Sequence, residues 1–195
     1  YIEIGGRRFG CSLWNESGCK HGYLDLAGAM SVSCNYYFYD IATGRDLASG
    51  KSLGYSRNIS NETIVEYAKL MGLGEKTGVE IGESSGVLPS EKMKTEGIKE
   101  QLAAFLLAEQ EIYFTEKSLT DRKTFRKKIE KITNWADKDL SLNEIIGKLK
   151  SEKIVRKEKL KELAGICHDD YFSQTGWQPG DTFNIAIGQG DNAYT

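Results

Sequence analysis

The sequence is short of several residue types. It has two prolines, Pro89 and Pro179, two histidines, His21 and His168, and three methionines in 195 residues. No apolar run approaches the ~20 residues a membrane-spanning helix needs. Neither charge sign dominates: net charge is −2 and the pI is about 5.8, which argues against a nucleic-acid or anionic-membrane partner. There is no initiator methionine and no secretory leader, and the chain opens on Tyr1 and stops on Thr195, so it reads as a piece of something longer. What is present is ordinary for a globular chain: 39% hydrophobic and 28% charged residues. There are 21 glycines, crowded toward the two ends.

The glycine distribution divides the chain into segments 1–94, 95–165 and 166–195. "YIEIGGRRFG" reads as a strand, a Gly-Gly turn and a second strand. "CSLWNESGCKHG" reads as an irregular loop. Asp25 suits the N-cap of a short helix, "LAGAMSV", and a second helix carrying Tyr36, Tyr37, Phe38 and Tyr39 starts near Asn35. Ser60 caps "NETIVEYAKLM", which Gly72 ends. "TGVEIGESSGVLPS" reads as extended and looped. Residues 95–165 hold 16 of the 26 Lys and Arg together with 13 acidic residues. The helical period is clear there in "IKEQLAAFLLAEQEIYF", "FRKKIEKITNW" and "IVRKEKLKELAG", with a capping box at Ser141 and Glu144 and a stop at Gly165. The plain reading of this charge is a solvated helical face. After 176 a Pro-Gly turn leads into an apolar stretch. The predicted fold class is mainly α with a few short strands (α+β).

Three blocks carry a resemblance: "HGYLDLAGAMSVSCNYYFYDIA", "YAKLMGLGEKTGVEIGESSGVLPS" and "WQPGDTFNIAIGQGDNAYT", in that order. Together they resemble the transpeptidase domain of class B penicillin-binding proteins, elongation type. The resemblance implies the helical half of that fold, with 95–165 a charged insertion. It implies a parent enzyme that cross-links peptidoglycan. A serine attacks the D-Ala-D-Ala end of a stem peptide, and β-lactams acylate the same serine. Such sites use S-x-x-K, S-x-N and K-T-G motifs. The S-x-N element is Ser33, Cys34 and Asn35. A hydroxyl at Ser33 can donate and accept beside a lysine, and the Asn35 amide can hold a substrate amide, so these two are the candidate catalytic residues. Two matches are set aside. "SGCK" (Ser17–Lys20) lies too near Ser33 and has no helical run after it. "KTG" (Lys76–Gly78) follows a helix end, not a strand. The chain is therefore expected to carry only the middle motif and to be inactive alone. The resemblance also implies the extracytoplasmic face of a bacterial membrane, with the parent anchored by an N-terminal helix absent here.

Cys11, Cys19, His21 and Cys34 fall within 24 residues. Thiols and imidazole at this density suit a tetrahedral structural zinc, although C-x7-C-x-H-x12-C is not a standard finger. The resemblance points the same way for His21 and Cys34, whose counterparts bind a metal in some relatives. A Cys11–Cys19 disulfide is the second reading, because the family works outside the cytoplasm. Free thiols are the third. Cys167 and His168 read as ordinary helix residues, and the sequons at Asn58 and Asn61 as accidental. Two other functions stay open: residues 95–165 as a module docking another envelope or elongation-complex protein, or the whole as a zinc-stabilised structural domain.

Overall fold

Ile2 and Ile4 alternate with polar neighbours, and the two glycines that follow reverse the chain. In the computed structural model, which describes residues 1–55 and 59–190, strands β1 (Ile2–Ile4) and β2 (Arg7–Phe9) pair antiparallel with Ile2 opposite Phe9. Gly5 and Gly6 stand at φ +57° and +76°, the left-handed pair that a two-residue hairpin turn demands. Asn58 and residues 191–195, the end of the third block, lie outside the described residues. The remaining elements are helical, in line with the expected mainly α class: α1 (Ser12–Ser17), α2 (Leu26–Ser31), α3 (Asn35–Thr43), α4 (Asn61–Leu70), α5 (Glu91–Ala108), α6 (Gln110–Tyr113), α7 (Glu116–Thr120), α8 (Arg122–Thr133), α9 (Leu142–Glu152), α10 (Leu160–Gly165) and α11 (Pro179–Ala186). No helix among the described residues is long and apolar enough to cross a membrane.

The chain forms two compact units, Tyr1–Ser90 with Trp177–Thr195, and Glu91–Gly176. The second starts before residue 95 and runs past 165. Helix α5 already begins at Glu91, and the chain does not stop at Gly165 but winds on through a π-helical turn, Ile166–Tyr171. Gly165 carries no positive φ, so it is not a left-handed glycine cap; α10 passes there into the π-helical turn.

In the first unit α3 packs on α11. Phe9 from the hairpin, Tyr39 from α3 and Phe183 from α11 make an aromatic triangle with centroids 4.8 to 6.2 Å apart. Gly180 fits closely there: a Cβ would meet the Phe9 ring at 3.0 Å and would have to displace it by a few tenths of an ångström. Two expectations are corrected. "CSLWNES" is not irregular: α1 occupies it, too short for a readable period, and Gly18 at φ +70° closes it through a bond to the Trp14 carbonyl. Pro179 does not make a turn but opens α11 at its first position, where its missing N–H is no loss, while the Asp181 carboxylate accepts the Gln178 N–H at 2.7 Å.

The second unit has its own core. Leu102 and Leu106 of α5, Phe125, Ile129 and Ile132 of α8, Ile145 and Leu149 of α9 and Leu163 of α10 are all buried, at the three- and four-residue spacings of single helix faces. Ser141 and Glu144 form the expected capping box. "IVRKEKLKELAG" is helical only in its second half. The β-branched Ile154 and Val155 stay extended: Val155 bridges Phe114, and Ile154 accepts the Thr115 N–H at 2.9 Å. The ends of the unit meet, since Lys94 Nζ donates to the Gly176 carbonyl at 3.1 Å.

Glu152, 7% exposed, is held by the ammonium groups of Lys128 and Lys131. Burial alone would raise its carboxyl, but hydrogen bonds from the two lysines outweigh burial and hold it below the ordinary value of 4.5. A carboxyl lowered by folding contributes stability above its unfolded value, and that contribution is lost as pH falls through the folded value. Urea titrations of the chain should therefore show helix lost more easily below about pH 4 than at neutrality, and Glu152→Gln should flatten that dependence. An unchanged acid limb in Glu152→Gln would assign acid sensitivity to other carboxylates.

Candidate functional site

Helix α2 is capped at its start by the Asp25 carboxylate, which accepts the Gly28 N–H at 2.7 Å. It ends in a paired-bond C-terminal motif: Cys34 N–H bonds to Ala29 O at 2.9 Å and Ser33 N–H to Met30 O at 3.2 Å. The residue at the turn of that motif must take a left-handed backbone, which glycine adopts at least cost. Helices α4 and α11 end in the same pair of bonds and place Gly72 (φ +82°) and Gly188 (φ +71°) there. Helix α2 places Ser33, at φ +51°. For a residue with a Cβ this conformation costs roughly 1–2 kcal/mol. Ser33 and Lys153 are the two non-glycine residues at positive φ among those described, and Lys153 is an exposed C-cap.

Cys34 follows as the N-cap of α3, and Asn35 is the first residue of that helix. The three residues of the S-x-N element are thus a helix stop, a helix cap and a helix start, with no linker between them. Ser33 is exposed, Cys34 is buried and Asn35 is half-buried. The aromatic residues behind Asn35 anchor the helix: burial pushes the Tyr39 phenol up, against a hydrogen bond with the Asn35 side chain.

Cys34 turns inward and meets two other sequence-predicted residues. Cys11 Sγ lies 3.3 Å from His21 Nδ1. The thiols of Cys11 and Cys34 and a His21 ring nitrogen all fall within 4.8 Å of one another. Donors around a tetrahedral zinc stand about 3.5–3.8 Å apart, given Zn–S of ~2.3 Å and Zn–N of ~2.0 Å, so a small contraction makes this set fit the ion. Burial raises the Cys34 thiol, the neighbouring Tyr37 amide opposes that, and Cys11 adds to it. Cys19 is not in the group. It is exposed, lines the same cavity of about 670 Å³ as Cys11, His21 and Cys34, and its Sγ points to the Ser17 carbonyl at 3.8 Å. No disulfide joins Cys11 and Cys19; all four thiols are free.

The two motif look-alikes have local roles. Ser17 is the last residue of α1 and donates to the Leu13 carbonyl at 2.7 Å. Gly18 then reverses the chain, so Lys20 is not one turn along the same helix, where a serine–lysine motif needs it. Around Thr77 and Gly78 both amides donate to the Glu83 carboxylate, at 2.6 and 3.1 Å, in a loop.

The sequence model of the penicillin-binding protein transpeptidase domain matches residues 4–141, which include the S-x-N loop and more than half of the Glu91–Gly176 unit. The chain belongs to this transpeptidase family. No curated protein matches the chain. The family implies a serine acyl-transfer enzyme in the parent, with peptidoglycan stem peptides and β-lactams as the ligands of such domains. What sequence reasoning missed in this transpeptidase piece is the strain at Ser33. A serine after a short helix carries no visible sign of φ, although the glycines at the ends of α4 and α11 hint at the rule it breaks.

Proposed function

We propose that this chain is the S-x-N part of a class B, elongation-type D,D-transpeptidase, working at the extracytoplasmic face of a bacterial membrane in a parent that a separate N-terminal helix anchors. The observation that carries the reading is Ser33: a hydroxyl is held, at a cost in backbone strain, where a glycine would make the same turn more cheaply. In the parent, the serine of the S-x-x-K motif attacks the penultimate D-Ala carbonyl. The amide bond breaks and the terminal D-Ala leaves as an amine, taking a proton. An amine of a second strand then attacks the acyl-serine and gives up a proton. Ser33 relays protons in both steps, and Asn35 orients the substrate amide and the lysine. β-Lactams enter through the first step alone.

Neither look-alike supplies the missing groups, so the chain by itself is expected not to be acylated. Incubation with a labelled penicillin, followed by intact mass and peptide mapping, tests this. An adduct on Ser17 would make "SGCK" the nucleophile and overturn the assignment of roles.

The same loop supports a structural metal. We assign a zinc to Cys11, His21 and Cys34, with Cys19 swinging in from the cavity wall between Gly18 and Gly22 as fourth ligand. Bound there, the ion would tie the residues before α1 to the start of α3 and so fix the S-x-N loop; a closed four-ligand site supplies no chemistry of its own. Elemental analysis should find about one equivalent of zinc in the chain and well under half in Cys34→Ser, with Cys167→Ser unchanged. Metal-free protein after zinc loading would remove the assignment.

A second function is favoured by the Glu91–Gly176 unit having a core of its own. We propose that it docks an envelope or elongation-complex protein. Removing it from the parent should spare acylation and reduce recruitment to the growing wall; loss of acylation would count against a docking role.

A further inference from the structure

Cys11 and Cys34 occupy matching places. Each is the N-cap of a helix, α1 and α3, in extended backbone (φ −78°, ψ 151° and φ −80°, ψ 94°); Cys11 closes no side-chain capping bond, and Cys34 has only the Tyr36 and Tyr37 amides turned toward its sulfur, without a regular cap bond. Capping positions favour Ser, Thr, Asp and Asn, whose oxygen satisfies an orphan N–H; a thiol is a poor acceptor. Capping alone would be better served by an oxygen at both positions. The sulfurs instead lie within 4.8 Å of one another, at residues 6% and 7% exposed, on a cavity of about 670 Å³ that the exposed Cys19 also lines. A disulfide needs an S–S distance of ~2.05 Å and Cβ atoms about 3.8 Å apart. With the two sulfurs within 4.8 Å of one another, forming the bond requires the side chains to rotate and the two caps to approach. The fourth cysteine, Cys167, is fully buried in the other unit and its thiol is pushed up to about 12, so it stays inert.

We propose that Cys11 and Cys34 are a reversible disulfide-forming pair, so that the same two sulfurs serve either the metal or each other. The metal arm rests on the zinc assignment above; the disulfide arm does not. The oxidant is a disulfide, R–S–S–R, small or protein-borne. One cysteine thiolate attacks it and displaces RS⁻, leaving a mixed disulfide. The second thiolate attacks the protein sulfur of that bond and displaces another RS⁻. Two protein thiols are oxidised, one external disulfide is reduced to two thiols, and the two protons end on the departing sulfurs. A zinc held by these sulfurs would keep its oxidation state and would be released on losing two ligands. The bridge then pins the start of α1 to the start of α3, with Ser33 and Asn35 on either side of the bonded Cys34. Oxidation of the surroundings would thus be felt at the S-x-N loop itself.

The test treats the purified chain, metal-stripped in one arm and zinc-loaded in the other, with glutathione disulfide, and maps peptides without reduction. A Cys11–Cys34 link should dominate in the stripped arm, reverse with dithiothreitol and persist in Cys19→Ser, whose folding is checked by circular dichroism. In the zinc-loaded arm the link should form at least about tenfold more slowly and release one equivalent of zinc to a chromogenic chelator. A Cys11–Cys19 or Cys19–Cys34 link in its place, or glutathione adducts alone, would overturn the pair. A Cys11–Cys34 link in a chain that never takes zinc keeps the pair and discards the metal. Zinc binding with no such link does the reverse.

Discussion

In the parent transpeptidase, Ser33→Ala and Asn35→Ala are each expected to slow acylation by a labelled penicillin by a factor of roughly 10² or more, the scale of a lost proton relay or positioning group. Ser33→Gly is the sharper variant. It removes the same hydroxyl but also relieves the left-handed strain at φ +51°, as Gly72 and Gly188 do in the matching turns of α4 and α11. Ser33→Gly should therefore raise the stability of the chain by about 0.5–1 kcal/mol while acylation falls as far as in Ser33→Ala. A serine kept only to end a helix predicts the opposite pairing, with unchanged acylation in both. Equal acylation by Ser33→Gly and wild type in stopped-time labelling would remove Ser33 from the mechanism.

The largest expected loss of stability is in the Glu91–Gly176 unit. Phe114 is fully buried, meets Phe125 edge-on at 4.9 Å, and its backbone bridges Val155. Phe114→Ala should cost about 3–5 kcal/mol, the range for a truncated buried aromatic. That is a large share of the stability of a domain this size. Loss of helical signal at much lower urea in Phe114→Ala checks it. If the variant holds to within about 1 kcal/mol of wild type, the ring is replaceable and the core around α5, α8 and α9 tolerates the cavity.

The helices with caps and periodic apolar faces were readable in advance. Asp25, Ser60 and Ser141 cap as their spacing indicates, and Asn35 begins α3. The readings that failed were of short or mixed segments. Six residues make α1, too few for a period, and in 154–165 strong helix formers follow two β-branched residues that prefer the extended bridge. Pro179-Gly180 reads as a turn because the same dipeptide opens turns and helices; here the segment is helical, with Phe183 packed on Tyr39 of α3. In the site, the density of cysteine and histidine signalled a cluster, but only folding separates Cys11, His21 and Cys34, brought together by two helix starts, from the exposed Cys19. The π-helical turn over Ile166–Tyr171 has no sequence sign that we can name.

The bond from Lys94 to the Gly176 carbonyl, with Glu91 also against Gly176, means that the long excursion between them begins and ends at one place. For polymer statistics such an excursion is a loop, and its closure entropy grows only with the logarithm of its length. Once the excursion has folded on its own core, its ends are already joined, and the rest of the chain meets no more freedom to restrain than a tight turn would present. A segment of this kind can be gained, lost or exchanged between related chains as one piece, with little thermodynamic trace in the host.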